Sequence, residues 1–214
     1  GASEAEMDYY AADGLKGAIQ KLLDYESTDE GFGQDPSLFA NPQNGQVPLP
    51  GMQLWWYLRL LATRHPFEQK MTVFWHDHFA TSAAKVDIPE AMYRHIEVLR
   101  TNATGPFGNL LTEVSKDPAM LYWLDNNENI KGTPNENFAR EVMELFTLGV
   151  DNGYTEQDIL EAARCLTGWT FGVRRAGRSF PTPKPGRQAR FAYMPERHDD
   201  GEKTVLGQTG NLDG

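Results

Sequence analysis

The stretch that most constrains this chain runs from Thr133 to Gly149, TPNENFAREVMELFTLG. Thr133 is placed as an N-cap, Pro134 as the first helical residue and Glu136 as the reciprocal partner of a capping box. Gly149 stands where a left-handed helix end favours a residue without a Cβ. At about 100° per residue, Phe138, Ala139, Val142, Met143, Leu145 and Phe146 share one broad face. The opposite side carries Glu136, Arg140 and Glu144 at i, i+4 and i+8, with Glu141 at the seam. A helix so framed, with a carboxylate beside its apolar stripe, is a natural anchor for a polar site.

The rest of the chain reads mainly as helices of similar length. Gly14 to Tyr25 is a short amphipathic helix with Leu15, Ala18, Ile19, Leu22 and Leu23 on one side. Ser27 to Pro50, rich in Gly, Pro, Asn and Asp, reads as a long irregular connection. Met52 to Arg64 is apolar nearly all round, which predicts a central, well-buried helix. His65-Pro66 opens the next, with Phe67, Met71, Phe74, Trp75 and His78 in one arc. Asp87, three residues before Glu90, predicts a capped helix lined by Ile88, Met92, His95, Ile96 and Leu99. Gly105-Pro106, Asp117-Pro118 and Thr155 with Asp158 mark three further helix starts, and Gly168 is the stop of the last. Beyond Trp169, Arg174 to Arg190 holds six basic residues and no acidic one, with three Pro and two Gly, and reads as a solvated surface loop. Phe191–Tyr193 and Thr204–Leu206 are expected to pair as short strands around Asp199-Asp200-Gly201. The expected fold is all-α, an irregular bundle of about seven or eight helices with a small extended, hairpin-like C-terminal tail. Residues 1–172 read as the helical domain, and 173–214 as an irregular basic loop and extended tail.

Composition narrows the function classes. A net charge of −10 argues against a nucleic-acid surface, which requires a basic patch. No run of about 18 apolar residues is present, so no membrane span is expected. The solitary Cys165 offers neither a disulfide framework nor a cysteine metal cluster. The acidic N-terminus, GASEAEMDYY, lacks the apolar core of a signal peptide.

Several residues carry candidate chemistry. His76-Asp77-His78 has the form of a metal-binding H-x-H. Residues two apart on a helix diverge by about 200°, so a joint metal site requires the helix to end near Trp75. On a continuous helix His78 becomes a core histidine held by a hydrogen bond, whereas His76 turns towards a cleft or solvent. Either imidazole is suited to proton transfer near neutrality. His95 falls on an apolar face, where it is expected to meet another histidine or a carboxylate such as Glu141. Glu141, placed between Leu145 and Leu148, needs an arginine, a histidine or an ion, with Arg164 as one partner. Glu136, Arg140 and Glu144 form favourable i, i+4 pairs. Asp125 to Glu136 resembles a calcium loop but has Ile130 where the sharp turn needs Gly, so Asn side chains folding the loop on itself is the simpler account. Cys165 reads as core packing, and His198-Asp199 as an oriented histidine or a turn. No cofactor is implied.

Three segments, FWHDHFATS with Lys85-Val86, PNENFAREVMELFTLGV and YTEQDILEAARCLTGWTF, together with the pattern from His198 to Gly207, resemble the bacterial DUF1800 family, a domain of unknown function. The resemblance runs from about Gly14 to the end. Its marked positions fall here on His76, His78, Asn135, Glu136, Asn137, Arg140, Glu141, Glu144, Arg164, Thr167, Gly168 and Trp169. Two positions depart from the usual pattern: Val142 replaces Leu, and Phe146 replaces a frequent His. The resemblance implies an exported or periplasmic bacterial protein, often encoded beside another exported protein that would be a partner. It implies no activity. The expected site is a polar pocket where the His76/His78 helix meets the Glu141 helix. There, Glu141 or a histidine would act as base, and Arg140 or Arg164 would hold an anionic group, for hydrolytic or proton-transfer chemistry with Glu144 nearby. The alternative is a non-catalytic envelope assembly or binding module whose polar residues are structural.

Overall fold

The structure is a computed structural model that describes residues 3–172 and 189–214. The basic loop expected at Arg174 to Arg190 lies outside the described residues, apart from Ala189 and Arg190. Nine α-helices and two small antiparallel β-pairs are described: α1 (Glu4–Ala11), α2 (Gly14–Leu23), α3 (Leu49–Ala62), α4 (Pro66–His78), α5 (Pro89–Thr101), α6 (Phe107–Ser115), α7 (Pro118–Trp123), α8 (Asn137–Glu141) and α9 (Glu156–Cys165), then β1 (Trp169–Gly172), β2 (Arg190–Tyr193), β3 (Lys203–Val205) and β4 (Gln208–Gly210). The fold is thus mostly helical with a small β tail, and among the described residues no helix is long and apolar enough to cross a membrane.

The largest core forms where the end of α4, α5, α6, α7, α8 and β1 converge. Phe79, Leu99, Leu110, Met120, Leu121, Phe138 and Phe146 are buried there together. A second cluster, Ala139 and Met143 against Ile159 and Ala163, joins the α8 segment to α9. Two predicted caps form as expected. Asp117 accepts from the backbone N–H groups of Ala119 and Met120, and Thr155 and Asp158 make a reciprocal capping box. Gly168 ends α9 at φ +80, and a Cβ there would lie 2.6 Å from the Met194 carbonyl oxygen, so only glycine fits.

Other expectations are corrected. The helix expected from Pro134 begins at Asn137, because Thr133 is taken up in a β-bridge with Ile130 and Glu136 turns its side chain to Arg140. After Glu141 the backbone widens into a π-helix, Val142–Thr147, with Leu148 N donating to Met143 O at 2.8 Å and Thr147 Oγ1 to Val142 O at 2.6 Å. The wider turn rotates Leu145 off the buried face, leaving it 56% exposed. Helix α3 is not central: only Gly51, Trp55 and Arg59 are buried, while Leu54, Tyr57, Leu58 and Leu61 face outward. Asp87 makes no cap, since α5 starts after Ile88. The two expected strands do not pair with each other. β2 pairs with β1, Trp169 opposite Tyr193, and β3 pairs with β4. Leu206 and Gly207 between β3 and β4 both have positive φ, the geometry of a two-residue I′ hairpin turn.

The Asn-rich loop folds on its own side chains. Asn129 donates to Asn126 Oδ1 at 3.1 Å and to Ala163 O at 2.8 Å, and its Oδ1 accepts from Asn135 N at 2.9 Å. Asn126 donates to Trp169 O at 3.0 Å. This loop therefore fastens the α8 segment to the end of α9.

Candidate functional site

Helix α4 continues through His78, so its two histidines part. His78 Nε2 donates to Phe146 O at 3.1 Å, with the ring packed among Trp75, Phe79 and Phe146. The α4 and α8 segments therefore do meet, but through this imidazole and a π-helix carbonyl. The extended H-x-H that a joint metal site requires does not form. Among the described residues, no group of three or more His, Cys, Asp or Glu side chains could hold a metal ion.

His76 turns the other way, its ring edge-on to Trp56 at 5.2 Å and 5.8 Å from the ring of His95. It forms part of the wall of a cavity of about 400 Å³ between α3, α4, α5 and the segment Thr81–Ala84. Burial, and then the neighbouring His95, pull the His76 imidazole down to about 4, while Asp77 opposes them. The side chain is therefore neutral at pH 7. Behind it, His95 Nδ1 lies 3.1 Å from Asp117 Oδ1, the same oxygen that caps α7. Asp117, read in the sequence only as a cap, thus also orients a histidine.

The wall of this cavity holds a concentration of unsatisfied polarity. Eight sealed side-chain N or O atoms have no hydrogen-bond partner among the described residues, and five of them belong to Trp56, His76, Thr81, His95 and Asp117. Each such atom costs about 1–3 kcal/mol of desolvation. They gather at one cavity and the pair behind it.

The remaining sequence candidates lie elsewhere. Arg140 is held by Glu136 at 3.1 Å, Glu144 at 3.0 Å and Glu156 at 2.6 Å, a partly exposed ionic cluster. Arg164 pairs with Asp199 and Glu161, each at 2.8 Å, and not with Glu141. That arginine holds the Asp199 carboxyl down at about 2. Glu141 makes no hydrogen bond or ion pair among the described residues, and burial, with Glu144 beside it, raises its carboxyl. The neighbours that shift Glu141 and His76 are different groups, so the two are electrostatically separate. His95 meets Asp117 instead of Glu141. His198 is buried, its Nδ1 donating to Thr167 O at 2.8 Å, and Cys165 is buried in the core.

Trp56, Thr81, Ser82 and Tyr93 entered the site without a chemical signal in the sequence. Thr81 and Ser82 lie inside the FWHDHFATS segment, which was the one available pointer. Trp56 was concealed in an apolar run, where aromatic residues are expected simply to pack.

Fold and site together define a mostly helical domain with a small β tail and a neutral, aromatic-walled cavity. The chain belongs to the family described as Protein of unknown function (DUF1800), whose family model matches residues 1–214. No curated protein and no solved structure gave a significant match.

Proposed function

We propose that this is a small-molecule-binding domain, that the cavity between α3, α4 and α5 is its site, and that His76 is the polar group a bound molecule meets. One observation carries the reading: three side chains that line one cavity, Trp56, His76 and Thr81, each hold a buried polar atom without a hydrogen-bond partner among the described residues. A cavity of about 400 Å³ lies within the range of ligand sites, roughly 300–1,000 Å³. The net charge of −10 favours a small molecule over a nucleic acid as partner. Fragment titration followed by the ring signals of His76 and the indole N–H of Trp56 tests it. Fragments that shift these signals, and lose affinity in His76→Phe, support the site. Binding that leaves them still, or survives the substitution, overturns it.

A proton-transfer reading has its own supporting observation, the Asp117–His95 pair set behind His76. In that reading His76 takes the proton, and the Asp117–His95 pair fixes the wall behind the ring. An imidazole held near 4 is a weak base, which favours the binding reading. Hydrolysis of p-nitrophenyl acetate that is lost in His76→Phe and weakened in Asp117→Asn would reverse that preference.

A further inference from the structure

The cavity wall has an unusual balance for so acidic a chain. None of its fourteen lining residues is Asp, Glu, Lys or Arg. The nearby cations are already committed: Arg59 to Glu30 at 2.6 Å and Glu97 at 2.9 Å, Arg100 to Glu68 and Glu97, each at 2.8 Å. Among the described residues, an anion entering the cavity would find no free counter-charge in its lining, and a cation would find no carboxylate there. Either would give up part of its hydration without a counter-charge in return.

The walls offer rings and soft apolar surface. Trp55, Trp56, Tyr57 and Tyr93 supply aromatic faces, and Met52 and Met92 supply adaptable contact. The space exceeds twice the roughly 150 Å³ that holds benzene in an engineered cavity, so a fused ring system or a substituted ring fits.

His76 sets the polar requirement. Its Nδ1 is sealed and unpaired, and a proton there would bury an unpartnered donor. The proton of the neutral ring is therefore assigned to Nε2, the ring nitrogen that is not sealed. His76 is thus a donor, and its complement is an acceptor.

We infer that the cavity takes an uncharged molecule with an aromatic body and one carbonyl-type oxygen, the oxygen accepting from His76 Nε2–H. The inference rests on the reading of this cavity as a binding site, and it specifies the chemistry of what binds. Charged relatives of the same shape are rejected by desolvation, and the bare hydrocarbon lacks the hydrogen bond.

The test uses the full chain at pH 7.5 and three matched probes: 2-naphthamide, 2-naphthoate and naphthalene. Binding is read from the Trp56 indole signal and by calorimetry. The amide is expected to bind about tenfold or more tightly than the carboxylate. His76→Phe should erase the advantage of the amide over naphthalene, and His76→Gln, whose amide N–H reaches a similar point, should keep part of it. Wild-type binding of naphthoate as tightly as the amide overturns the ligand class and leaves the site standing. An amide advantage that persists in His76→Phe overturns the role of Nε2–H. Failure of all three probes to move Trp56 overturns both the ligand class and the site.

Discussion

His95 and Asp117 form a completely buried pair, with Nδ1 3.1 Å from Oδ1 and neither side chain reached by solvent. One carboxylate oxygen thereby holds an imidazole on α5 and the first two free N–H groups of α7. The pair sits behind the cavity, with the His95 ring 5.8 Å from that of His76.

Asp117 is therefore expected to matter mainly as an acceptor. Asn retains an oxygen for the cap and for His95, so Asp117→Asn should cost about 1 kcal/mol, whereas Asp117→Ala should cost about 3 kcal/mol. Urea unfolding midpoints measure both. Equal losses would mean that the charge, and not the acceptor geometry, is what the fold uses.

Stability should depend on pH through His76. Its folded pKa, about 4, lies below the ordinary 6.5, so the unfolded chain binds the extra proton first. Stability is full above 6.5 and falls as pH drops from 6.5 towards 4, by up to about 3 kcal/mol for this group. His95 and Asp77 are the titratable neighbours that act on it. Compared with wild type, His76→Phe should lose less stability between pH 7 and pH 4.5. Parallel losses in the two proteins would contradict the assignment.

Two arginines that look alike in sequence should differ in effect. Arg59 is 7% exposed and bridges Glu30 and Glu97. Arg59→Ala leaves Glu30 without its arginine, while Glu97 keeps Arg100, and should cost about 3 kcal/mol. The Arg140 side chain is 32% exposed, and its three partners are solvated. Arg140→Ala should cost less than about 1 kcal/mol, and still less at high salt. Thermal unfolding at two ionic strengths separates the cases.

Glu141 carries a raised carboxyl and no partner among the described residues. The folded state disfavours its charged form, so stability is full below the ordinary carboxylate pKa and declines as pH rises through the raised one. Glu141→Gln should stabilise the protein at pH 7 by less than about 1 kcal/mol and change little at pH 4. Destabilisation at pH 7 would show that the carboxylate has a partner after all.

The legibility of this chain varied with the range of the forces involved. Caps at Asp117 and Thr155, the stop at Gly168 and the divergence of His76 from His78 are set within a few residues, by hydrogen bonds and helix periodicity, and the sequence alone determined them. So did the family membership, which long contiguous motifs carry. The start of α8 was misjudged because a β-bridge and an ion pair competed for Thr133 and Glu136, and no local rule ranks those against a capping box. The strand partners were misjudged because pairing depends on which edge is free after the helices pack. The site itself was decided by tertiary structure. Whether an imidazole meets Asp117 or Glu141, and whether an apolar helix such as α3 is central or walls a cavity, depends on contacts between segments far apart in the chain. Burial and hydrogen-bond satisfaction belong to the packed whole, so no single stretch contains them.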